Sequence, residues 1–185
     1  YFLKSRISID LTLKLESFIN ENNFPIAVRS SSLLEDSQYQ PLAGTYETIM
    51  LSNNSKSNKE RLNKLIEAIK IIYASTFNGE ARTLLKNTAH RIEEEKMAIL
   101  IQEVVGIKYK SNRFYPTFSG VLQSINYYPV SYMKRNEGVA YLALGFGRTI
   151  ADGEKCLRIS PKYPKILPQF FSLKATIQNS QNEFY

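Results

Sequence analysis

The chain has 185 residues, 43% of them hydrophobic, and its 24 basic and 17 acidic side chains give a net charge of +7. That content suits one ordinary globular domain or two small lobes. No apolar run approaches the ~18 residues that a membrane helix needs, and a single cysteine, Cys156, excludes an internal disulfide and fits a reducing compartment.

The basic excess is compatible with a nucleic acid, an anionic membrane or an anionic metabolite. Lysines and arginines are scattered, however, with no basic arm and no nucleic-acid motif. The 12 tyrosines and 10 phenylalanines sit mostly among aliphatic residues, as in a core. A basic nucleic-acid binder therefore rests on charge alone. A soluble ligand carrying phosphates fits at least as well, and neither nucleic acid nor membrane is the expected partner. The sequence opens at Tyr1 and stops at Tyr185 without an obvious cap, which reads as a piece of a longer chain.

In residues 1–9, Ile7 and Ile9 alternate with Ser8, so a short edge strand is expected. Asp10 reads as the N-cap of a helix over about 11–21, with Leu11, Leu15, Phe18 and Ile19 on one face. Asn22 and Asn23 end it. Pro25 opens a short buried strand, Ile26-Ala27-Val28, followed at once by Arg29, three serines from Ser30, and then Glu35 and Asp36. After a polar loop come Ala43-Gly44-Thr45 and a second strand over 46–51. A cation and hydroxyls thus stand at a strand end, where binding groups are commonly held. A guanidinium fork suits phosphate oxygens, and backbone N–H groups near Gly44 can add donors. The plainer alternative is a surface Arg29 paired with Glu35 or Asp36 beside an ordinary turn.

Residues 52–58 form a polar loop, in which Asn53-Asn54-Ser55 matches a glycosylation sequon but reads as a turn. Ser57 with Glu60 has capping-box form. The helix that follows carries Leu62, Leu65, Ile66, Ile69, Ile72, Tyr73 and Phe77 as an apolar stripe, a core-packing pattern. A shorter helix is expected over about 80–89. Glu93, Glu94 and Glu95 point different ways and read as a solvated run rather than a metal site. Residues 97–105 are nearly all apolar and read as a central strand buried on both faces.

Residues 108–113 form a basic, hairpin-like link. Another strand is expected over 118–128, entered through Ser119 and Gly120 and stopped by Pro129. A polar loop over 131–137 leads to the last strong strand, 138–144. That strand runs into Gly145-Phe146-Gly147-Arg148, a glycine pair before a helix start, which can cradle phosphate but is weak as a motif. Asp152-Gly153 marks a tight turn. Three prolines punctuate 160–168, and 169–185 is polar, with a helix belonging to the rest of a longer protein.

Five segments, taken together and in order, resemble the nucleotide-binding domain of the phosphoenolpyruvate synthase and pyruvate, phosphate dikinase family. They are AVRSSSLLEDS, PLAGTYETIML, MAILIQEVVG, FSGVLQSINYYP and GVAYLALGFGRTIADG, and they cover most of residues 25–165. The resemblance implies an α+β fold with mixed or antiparallel sheets and flanking helices, related to the two-lobed ATP-grasp fold but incomplete, with a lobe boundary near 93–106. It implies ATP as ligand, with Mg2+ in the full-length protein, in a cytoplasmic phosphotransferase. The phosphoryl group would pass to a phosphohistidine domain outside this chain.

By the same resemblance Arg29 is the catalytic residue and contacts the ATP phosphates, with Ser30 beside it. Gly44 and Thr45 lie in the loop over the phosphates, with Thr48 just behind. Gln102, Glu103, Val104 and Val105 line the base pocket, and Ser119 and Gly120 approach the phosphates. No metal ligand is assigned. Several family parts are not found: the N-terminal lysine segment, the late acidic and Gln-x-Arg segment, and the glycine-rich phosphohistidine motif. Thr88-Ala89-His90 matches that last motif only by letters, and His90 reads as a surface or helix-end residue. Where relatives have GLGE, this chain has GFGR, a base for an acid. The chain alone is therefore expected to be inactive, and a non-catalytic nucleotide-binding or regulatory module remains the alternative.

Overall fold

The computed structural model describes residues 1–32, 46–79, 83, 96–130 and 132–185. The expected loop around Gly44 and Thr45, nearly all of the helix over 80–89, Glu93 to Glu95 and His90 lie outside the described residues. The chain divides into two compact units, Tyr1–Val104 and Val105–Tyr185. Both combine small antiparallel sheets with helices.

The first unit opens with a 3-10 turn, Phe2–Lys4, in place of the expected edge strand. Helix α1, Ile9–Glu21, follows. Its N-cap is Ser8, whose hydroxyl accepts from Leu11 N at 3.3 Å. Asp10, the expected cap, instead lies in the first turn, where the positive helix end favours its carboxylate, and it pairs with Lys14 at 2.8 Å. Strands β1, Ile26–Ser32, and β2, Thr48–Leu51, precede the long helix α2, Asn58–Ser75. Ser57 caps α2 by accepting from Glu60 N at 3.3 Å. The reciprocal arm of a capping box is missing, because the Glu60 carboxylate is taken by Lys64 at 2.7 Å and by the Ser55 hydroxyl at 2.6 Å.

The core forms where the α1 and α2 stripes meet one face of the sheet. Leu15 and Ile19 pack with Ile26 and Val28 of β1 and with Leu65, Ile69 and Ile72 of α2. Each such side chain, when fully enclosed, stabilises the fold by about 1.5–3 kcal/mol. Arg61 fastens the same elements from their polar end. It is 8% exposed, and its terminal nitrogens donate to Asn22 O at 2.8 Å and Ile19 O at 2.9 Å, carbonyls left open at the end of α1.

Strand β3, Met97–Glu103, completes the sheet in the order β2-β1-β3, antiparallel throughout. Here the sequence expectation needs correction. Among the described residues β1, not β3, is central. β3 is a border strand, its exposure alternates along its length, and it ends at Glu103 rather than Val105. An unbroken apolar run carries no period, so it does not say which face is covered.

In the second unit, β4, Ile107–Lys108, and β5, Phe114–Tyr115, form the expected hairpin, with Tyr109 stacked on Tyr115 at 4.1 Å. Strands β6, Phe118–Gln123, β7, Val139–Leu144, and β8, Leu157–Ile159, make a second antiparallel sheet in that order. β6 stops five residues short of the expected end because the chain turns inward at Asn126. That side chain is fully buried, accepting from Tyr128 N at 3.1 Å and from Arg158 at 2.8 Å. A helix, Leu173–Asn179, capped by Ser172, lies near the end of the chain. Beyond it the Gln181 amide clamps the backbone of Leu144, accepting from its N–H at 2.7 Å and donating to its carbonyl at 3.0 Å.

Candidate functional site

Strand alternation decides which of the candidate residues meet. Ile26 and Val28 point into the core, so Ala27 and Arg29 point the other way. The register sets Arg29 beside Thr48 on β2 and Leu100 on β3, and Ala27 beside Met50 and Gln102. Arg29, Thr48 and Gln102 therefore share the face of the sheet turned away from the helices. Met50 and Leu100 flank them and are 57% and 48% exposed. Arg29 is exposed, and its Nη1 lies 3.5 Å from Gln102 Oε1, a long contact and the one hydrogen bond it makes among the described residues, outside which Glu35 and Asp36 lie. A fixed cation beside an apolar, solvent-facing strip matches a ligand with an anionic end and a flat apolar body.

The same alternation removes two candidates from this face. Ser30 stands beside Ile99 and Glu103 beside Ile26, both on the core-facing register. Of the backbone groups expected to read a base, Val104 N–H already donates to Pro25 O at 2.9 Å. Val105, 81% exposed, opens the second unit.

In the second unit Ser119 and Gly120 have local roles. The Ser119 hydroxyl donates to Gly145 O at 2.7 Å. A Cβ at Gly120 would come within 2.6 Å of the Leu142 side chain and 3.0 Å of Tyr141 O, so a bare backbone is needed beside β7. The expected phosphate cradle at Gly145 to Arg148 is filled from within its own unit. Phe146 N–H donates to Tyr185 O at 3.1 Å. Arg148 lies 4.7 Å over the Tyr185 ring and pairs with Asp152 at 3.0 Å. The Tyr185 hydroxyl donates to Glu154 at 2.8 Å, and that bond, with partial burial and the nearby Glu183, pushes its pKa up to about 12. The helix after the glycines is a single turn, Arg148–Ala151.

Sequence reading named the polar members of the Arg29 face and missed Met50 and Leu100. Alternation in Thr48-Ile49-Met50-Leu51 carried the signal for Met50. Nothing in the unbroken run around Leu100 did. Among the described residues no group of three or more His, Cys, Asp or Glu side chains is placed to hold a metal ion.

The Arg29 guanidinium, on a sheet face, is a donor fork of the kind that suits carboxylate or phosphate oxygens. The chain belongs to the family described as pyruvate phosphate dikinase, AMP/ATP-binding domain, whose model it matches over residues 2–184. It is also 31% identical over 135 residues to an uncharacterized phosphotransferase, YvkC, of Bacillus subtilis strain 168. That match covers 73% of this chain and 14% of the relative, so the chain spans a small part of that protein's length. No helix among the described residues is long and apolar enough to cross a membrane.

Proposed function

We propose that this domain binds ATP on the outer face of the β2-β1-β3 sheet, with the Arg29 guanidinium on the phosphates and the purine over Met50, Leu100 and Gln102. The observation that carries this reading is the register that sets Arg29, Thr48 and Gln102, all three exposed, together on one face. Gly44 and Thr45 would close over the phosphates, completing an ATP-grasp-like enclosure. In the parent protein the bound nucleotide would be split and its phosphoryl group passed on, as in phosphoenolpyruvate synthase-like enzymes, through a histidine domain beyond this chain. A cytoplasmic setting belongs to the same proposal.

Arg29 supplies what this chain can contribute to such chemistry. It is a permanent positive charge, fixed on a strand rather than a loop, that neutralises phosphate oxygens as charge shifts between them. Magnesium would supply further charge neutralisation in the parent. The described residues offer no ligand set that fits it. Isothermal calorimetry with MgATP tests the reading. Arg29→Ala is expected to weaken saturable binding by tenfold or more, Arg29→Lys by less, since a point charge replaces the fork. Equal affinity of all three proteins contradicts it.

One observation favours binding without turnover as the second reading. Arg148, standing where relatives carry an acid, is held by Asp152 and Tyr185 and supplies no carboxylate. Under that reading MgATP binds as above, and the parent protein shows no ATP cleavage.

A further inference from the structure

The apolar stripe of α2 runs past the core, and a cavity lies where it emerges. Tyr73 and Phe77 are 41% and 46% exposed. With Leu11 and Ile69 they wall a cavity of about 430 Å3 in the first unit. That volume falls in the range of small-molecule sites, ~300–1,000 Å3. The N-terminal turn is fastened across α2: Phe2 meets Phe77 at 5.2 Å, and Lys70 Nζ donates to Leu3 O at 3.0 Å. The cavity borders α1 and α2, on the helix side of the sheet, so it is separate from the Arg29 face.

Among the described residues two cations, Arg6 and Lys70, border the cavity, and no acidic residue does. Lys70 is committed to Leu3, whereas Arg6 is exposed and makes no hydrogen bond or ion pair with another described residue. An apolar wall and a guanidinium uncommitted among the described residues together suit a ligand with an apolar body and an anionic end.

We infer that this cavity binds a small organic acid with an aromatic or branched apolar body, its carboxylate against Arg6. A guanidinium takes a carboxylate through two parallel hydrogen bonds, which a neutral amide cannot reproduce. With one uncommitted cation among the described lining residues, the apolar walls disfavour a triphosphate in the same place.

Fluorine NMR on the full chain tests this with 4-(trifluoromethyl)benzoate and its neutral counterpart 4-(trifluoromethyl)benzamide. Expected is saturable one-to-one binding of the acid, with the amide about tenfold weaker or more, in line with a charge-assisted hydrogen bond. Arg6→Ala should bring the acid down to the level of the amide. The absence of saturation by the acid, equal binding of acid and amide, or an Arg6→Ala protein that binds the acid as wild type does, would each overturn the inference.

Discussion

At the scale of single residues, Arg29 and Glu137 show how far neighbours set a charge's role. Arg29 is exposed, with one long contact among the described residues, which suits the ligand role proposed for it. Glu137 is spent on structure. Its carboxylate accepts from Lys162 at 2.8 Å and from Lys134 N at 2.8 Å, and these bonds hold its pKa below the usual carboxylate value. A lowered folded-state pKa gives stability that is present above the unfolded value and lost as pH falls through the folded one. The gap in Tm between wild type and Glu137→Gln should therefore be widest near neutrality and close below about pH 4. A gap that stays constant down to pH 3 would show that the ion pair does not contribute in this way. The sequence made Arg29 legible because a cation after a buried strand is a recognisable pattern. It could not show Glu137, whose partner Lys162 is 25 positions away.

At the scale of elements, the helices were legible and their ends only partly so. Periodicity placed α2 and its apolar stripe, but Tyr73 and Phe77, read as core, emerge into a cavity instead. Ser57 was identified as a cap, yet the loop residue Ser55 takes the side chain that would have completed the box. Strand β3 was legible as a strand and misjudged as to burial, because a continuous apolar run has no phase. The glycine pair after β7 was read as able to cradle phosphate though weak as a motif, and the Phe146 amide between the two glycines is taken by Tyr185 O. Gly145 there has φ +78°, and a Cβ would meet Tyr185 O at 2.8 Å. Gly145→Ala is accordingly expected to cost about 1–3 kcal/mol, from the left-handed backbone and the displaced tail together. Chemical denaturation measures it, and an unchanged midpoint would mean that the tail does not sit against this turn in solution.

At the scale of the whole molecule, composition alone left several partners open, and it was the order of five short segments that narrowed them to a nucleotide. The family match over residues 2–184 supports that order. Which candidates meet was a matter of register, which no motif contains: Arg29, Thr48 and Gln102 fall on one face, and Ser30 and Glu103 on the other. At 21.2 kDa the chain is within reach of backbone NMR assignment. The most direct measurement is therefore a titration of MgATP into isotope-labelled protein, followed amide by amide. Expected are saturable shifts at Arg29, Thr48, Met50, Leu100 and Gln102, with the far side of α1 and α2 unmoved. Saturable binding whose shifts bypass the β1 and β3 strands would contradict the nucleotide site proposed on this face.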